Sequence, residues 1–261
     1  MIKFFRTIRK DLLGKNKTAK YLKYAIGEII LVVIGILIAL QINTWNTNRV
    51  ERNKEKEYLN NLIEDIKTQK TLVQSQIDHE INTKLQCEKA LRHLNSTTIN
   101  ADSLNIYLTD ITRKTFVIND PTFQDLKSSG NILLIKNNAL RKKIISFYQN
   151  LEYSALVIVV SNENSIDSFR SFIIQNSVVN MNYKDSLVVA GGVNYSLNSI
   201  DIPWAKKVQE AKLEDKENLL ITLNHISQRG RTSTVHLDLM QRLEQRIENI
   251  QGDIQTYLSN D

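Results

Sequence analysis

Twelve consecutive residues, Ile29 to Leu40, are apolar or glycine, and this run restricts the folds open to the chain more than any other feature. Ala25, Ile26 and Gly27 extend it on one side and Ile42 on the other. Twelve residues alone would suit a buried core helix or the core of a secretory signal. The flanks point to a membrane instead. Tyr21 and Tyr24 precede the run and Trp45 follows it, as interfacial aromatic belts do. From Tyr24 to Trp45 a helix rises about 31 Å, against a bilayer core of about 30 Å. Glu28 and Gln41 lie near the two ends, where each reaches headgroups or water. The expectation is a transmembrane helix over 25–45.

The net charge of +6 is unevenly placed. Residues 1–24 carry eight basic side chains and one acid, Asp11; residues 25–42 carry only Glu28; residues 43–261 carry 26 of each sign. The basic excess therefore precedes the apolar run, and the remainder has no electrostatic footprint for nucleic acid. A basic block beside an apolar run is retained on the cytoplasmic side. Ala39-Leu40-Gln41-Ile42-Asn43 offers no small-x-small cleavage site, so an uncleaved signal anchor is expected. Residues 1–24 are then a cytoplasmic basic segment and 46–261 an extracytoplasmic, periplasmic domain. Within 2–13, Phe5, Ile8 and Leu12 share one face while Arg6, Arg9 and Lys10 lie largely away from it. A helix lying in the inner leaflet and ended by Gly14 is preferred over a frayed basic tail.

Two prolines and eight glycines in 261 residues favour long helices over a many-turned β fold. Leu59, Leu62, Ile63, Ile66, Val73, Ile77, Ile81, Leu85, Leu91 and Leu94 recur at mostly three- and four-residue steps. The steps of four at 73, 77, 81 and 85 drift off a heptad, which predicts an intramolecular bundle rather than a two-stranded coiled coil. Residues 101–113 read as a short helix, and Asp120-Pro121 as a helix start with Asp120 as cap. Ser128-Ser129-Gly130-Asn131 ends that helix. A second long helix is expected from Asn138 to about Gln175, weakened by the β-branched run Val157–Val160. Residues 177–202 lack a helical period and suggest a small hairpin or an irregular insertion. Short helices run from Pro203 to Gln228, Gly230 breaks the chain, and a last helix covers roughly 232–258. The fold class expected is all-α, with one N-terminal transmembrane helix continuing into a long-helix bundle.

Candidate functional residues are few. Glu28 could pair with a basic group or a headgroup, against the plainer reading of a carboxylate near the boundary. Gly35-x-x-x-Ala39 offers a close-approach face for a second copy, although small residues are common in such helices. With Tyr21, Tyr24 and Trp45 these are the membrane-interface and helix-packing candidates. His79, His93, His225 and His236 form no ligand spacing, and the single cysteine, Cys87, has no partner. His79 and His93 could share a face with Glu80 or Cys87, but core or surface histidines are the better reading. Ser128-Ser129-Gly130-Asn131 lacks the Gly-Lys-Ser/Thr of a phosphate loop. No catalytic, cofactor-binding or metal residues are assigned.

The stretch from Lys20 to Asn43, the block Leu126-Lys127-Ser128-Ser129-Gly130-Asn131-Ile132-Leu133-Leu134-Ile135-Lys136-Asn137 and the triplet Glu57-Tyr58-Leu59 carry a resemblance. They resemble an uncharacterised membrane-protein family of flavobacteria and other Bacteroidota, most specifically over 20–46 and 126–148. That resemblance implies a Gram-negative inner membrane and a periplasmic domain, and it supplies no activity. The functional expectation is a non-enzymatic, membrane-anchored interaction or scaffold protein. Its partners would be the lipid bilayer, an envelope protein and, through Gly35 and Ala39, a homo-oligomer. The alternative is an envelope sensory module signalling to a cytoplasmic partner. An enzyme without a recognisable motif ranks third.

Overall fold

Helix α1 runs from Thr18 to Leu94 without a break. In the computed structural model the described residues are 18–179, 186–189, 193–196 and 202–260, with no side-chain description at 18–21, at 24 or in the strands. The expected in-plane helix over 2–13 lies outside them. The chain divides into two units, Met1–Glu57 and Tyr58–Asp261.

In the first unit the apolar run is helical and bare. The branched side chains from Ile29 to Ile42 are each between 47% and 69% exposed. Thr44 returns its hydroxyl to the Leu40 carbonyl at 2.9 Å, so this polar group is satisfied within the helix.

The second unit is a helical bundle. After α1 come α2 (Ala101–Thr109), α3 (Pro121–Ser128), α4 (Asn138–Ser161), α5 (Asp167–Asn176), α6 (Pro203–Glu214) and α7 (Lys216–Ser259). A 3-10 turn, Asn131–Leu134, precedes α4, and a π-helical turn, Asn162–Ile166, joins α4 to α5. That turn directly follows the β-branched run Val157–Val160, where regular α-helix is least favoured. Strands β1 (Ser186–Val189) and β2 (Val193–Ser196) form an antiparallel hairpin inside the expected insertion. Asn137 caps α4 by accepting from the Leu140 N–H at 3.0 Å, and Asp215 caps α7 by accepting from Asn218 at 3.0 Å.

Residues 58–94 of α1 and helix α7 are antiparallel: Lys70 meets Glu248 at 2.8 Å and Cys87 meets Gly230. Their apolar faces supply two separate cores. One joins Leu59, Leu62, Ile66 and Val73 to α3, α4 and the second half of α7. The other joins Cys87, Ala90 and Leu94 to α2, α5, α6 and Ile226.

Several sequence expectations require correction. Helix α7 does not break at Gly230. A Cβ there would lie 3.3 Å from the Cys87 Cβ, so the glycine marks a close approach of α7 to α1, not a helix end. Ile81 and Leu85 are 48% and 41% exposed, because the core face of α1 turns after Ile77 onto Glu80, Thr83, Cys87 and Ala90. Helix α2 stops at Thr109, short of 113. The following backbone is taken up by side chains instead: Gln69 accepts from the Asn119 N–H at 2.7 Å, and Asn162 donates to the Lys114 carbonyl at 3.1 Å. Asp120 occupies the cap position of α3 but makes no capping bond. Asp65 of α1 does so across the bundle, accepting from the Thr122 N–H at 2.9 Å.

Candidate functional site: a buried ionic layer between two cores

Between the two apolar cores the facing stripes of α1 and α7 become polar. On α1 the three- and four-residue steps that placed Leu and Ile in the first core bring in Gln76, Glu80 and Thr83. On α7 the same spacing presents Arg229, Ser233 and His236. Glu80 and Arg229 are each 1% exposed and His236 is fully buried.

Glu80 is the centre. One carboxylate oxygen accepts from Gln76 Nε2 at 2.9 Å and faces His236 Nδ1 at 3.1 Å. The other lies 3.5 Å from Arg229 Nη1. An ionised carboxylate only accepts, so His236 carries its proton on Nδ1 when Glu80 is charged. Arg229 also donates to Ser233 Oγ and, at 3.0 Å, to the Thr112 carbonyl. The layer thereby ties α1, α7 and the irregular segment after α2 together.

Burial is the strongest single influence on Glu80 and pushes its pKa up. The His236 hydrogen bond and the Arg229 charge together outweigh it, and the carboxyl is held below its ordinary value. Burial lowers the Arg229 pKa, yet a guanidinium stays cationic in any such setting. Burial pushes the Cys87 thiol up to about 11, so it remains protonated and unreactive at neutral pH. Burial also holds His79 below its usual value. Glu80, Arg229 and His236 are thus paired with one another out of contact with solvent.

The histidines do not converge. His93 sits beside the Asn100 backbone, its Nε2 accepting from the Asn100 N–H at 3.1 Å. His225 stacks on Phe172 with ring centroids 4.2 Å apart. Among the described residues, no three His, Cys, Asp or Glu side chains are arranged to hold a metal ion.

The residues singled out near the apolar run remain separate from this layer in sequence and lie in the first unit. Glu28 is partly exposed, Ala39 is exposed, and a side chain at Gly35 would meet nothing within 4 Å. Trp45 is 61% exposed, with the Arg49 guanidinium 5.3 Å from its ring. The side chains of Tyr21 and Tyr24 lie outside the described residues. Sequence reasoning missed Arg229 and, although it read His236 as a core or surface histidine, missed its pairing with Glu80. The available signal was a polar stripe at core spacing on two long helices.

These features define a predominantly helical protein with a long, apolar N-terminal helix followed by a bundle whose core is divided by an ionic layer. The chain belongs to a family of unknown function (DUF6090), which matches residues 28–197. No curated protein and no solved structure matches it. The matched region contains Glu80, while Arg229 and His236 lie beyond it.

Proposed function

We propose that the protein is anchored by one transmembrane helix over 25–45 in the inner membrane of a Gram-negative bacterium of the Bacteroidota. Residues 1–24 face the cytoplasm, and residues 46–261 form a periplasmic, non-enzymatic helical module that binds or scaffolds an envelope protein. The exposed apolar run carries this reading. Eleven Val, Leu and Ile side chains between Ile29 and Ile42 are exposed. Moving each into hydrocarbon gains about 1.5–3 kcal/mol, so the run gains on the order of 15–30 kcal/mol in lipid. Helix α4, continued to Asn176, is also long and apolar enough to cross a membrane, but a third of its apolar window is buried. Leu140, Ile144, Phe147 and Leu151 spend that apolarity on the bundle core. The Lys and Arg excess before the run sets the orientation.

The binding surface is best sought on α4, where Tyr153, Leu156 and Val160 are exposed at helical spacing. Photocrosslinkers placed there should capture one envelope protein in living cells; capture of none would remove the scaffold reading. A periplasm-dependent reporter fused after Asp261 should be active, and an inactive one would reverse the topology. The unbroken course of α1 supports a sensory alternative. Inserting residues after Asn46 to shift the helical phase should then change a cellular output, and indifference to phase would leave the scaffold.

A further inference from the structure

A groove of about 510 Å³ opens where the π-helical turn meets α7. Turns of this type within α-helical runs recur at functional sites. Asn164, Ser165 and Ser168 line one wall. Asn224, Gln228 and Arg231 line the other, at spacings that put them on one helical face. His225 also lines the groove, its ring held against Phe172 at an interplanar angle of 13°.

The polar groups here are unused. Elsewhere on these helices serine, threonine and asparagine side chains bond back to the carbonyl four residues earlier, as Ser154, Ser171, Asn176 and Thr222 do. Among the described residues, the side chains of Asn164, Ser165, Ser168, Asn224, Gln228 and Arg231 make no hydrogen bond or ion pair. No carboxylate lines the groove, and Arg231 brings its one fixed charge. Amides and hydroxyls can both donate to and accept from a polyol, whereas a guanidinium requires an acceptor and is best matched by an oxyanion. The groove is open to solvent, with Asn164, Ser168, Asn224, Gln228 and Arg231 exposed along it.

We propose that this groove binds a hydroxyl-rich small molecule bearing one phosphate, with Arg231 holding the phosphate and the serine, asparagine and glutamine side chains holding the hydroxyls. The test uses the full chain in detergent micelles, following the His225 ring resonances by NMR during titration. Glucose 1-phosphate is the probe; glucose and inorganic phosphate are the comparison arms. The ester should give a saturable shift and bind more tightly than either component. Arg231→Gln should weaken it about tenfold or more, and Ser168→Trp, which fills the groove, should abolish it. Arg170→Gln, on an exposed position outside the groove, should leave it unchanged. Both groove positions are exposed, and far-UV circular dichroism verifies that each variant is folded. The proposal is overturned by the absence of a saturable shift, by binding that survives both groove variants, or by inorganic phosphate binding as tightly as the ester.

Discussion

Replacing Arg229 by methionine isolates what the ionic layer does. Methionine keeps most of the buried volume and removes the cation facing Glu80. At 3.5 Å, and with an effective dielectric constant of about 20, the lost attraction is about 5 kcal/mol. Breaking a buried pair by removing one partner costs about 3–5 kcal/mol, because the other charge is left in place. Gln76 and His236 still donate to Glu80, so the lower part of that range is expected. That loss is a large fraction of a domain stability of about 5–15 kcal/mol. The assay is urea unfolding of the full chain in mild detergent, followed by far-UV circular dichroism. The double variant Glu80→Leu with Arg229→Met removes both charges and should recover most of the loss. A single-variant loss under about 1 kcal/mol, or a double variant no more stable than the sum of its parts, would refute the compensation argument.

Acid should weaken the bundle in two stages. His79 is depressed, so its contribution is full above 6.5 and declines as pH falls below that value; His79→Phe should flatten this part of a pH–stability curve. Glu80 is also depressed, so its contribution is full above 4.5 and is lost as pH falls through its lower folded value. Two glycines of α7 should respond oppositely. Gly230→Val should cost about 1–3 kcal/mol by crowding Cys87, whereas Gly252→Ala, which meets nothing within 4 Å, should gain up to about 1 kcal/mol of helix propensity. Asp65→Ala should cost about 1 kcal/mol through loss of the cap on α3, readable in the same urea titrations.

Much of the helical plan was legible because apolar spacing is set by the backbone period. Leu140, Ile144, Phe147 and Leu151 on α4, and Leu243, Ile247, Ile250 and Ile254 on α7, all reach the core as their spacing requires. The reading slipped where polar residues took core positions. Following Val73 and Ile77 onward to Ile81 and Leu85 continued the apolar pattern but missed the turn of the buried face onto Glu80 and Thr83. Sequence patterning treats charge as solvent-facing, and only the opposed Arg229 and His236 reveal that Glu80 is compensated. Gly230 misled for a related reason. A glycine that ends a helix and one that lets two helices touch look alike until the facing residue, Cys87, is known. The cap on α3 came from Asp65, more than fifty residues upstream, which no local rule reaches. The polar groove beside the π-turn left no sequence signal, since serine, asparagine and glutamine on a helix ordinarily signify a solvated face.

The decisive measurement is alkaline carbonate extraction of membranes from cells expressing the full chain. With Ile29–Ile42 in hydrocarbon, the protein should stay in the pellet and enter solution only with detergent. Quantitative release into the carbonate supernatant would mean that these exposed side chains are covered by something other than lipid.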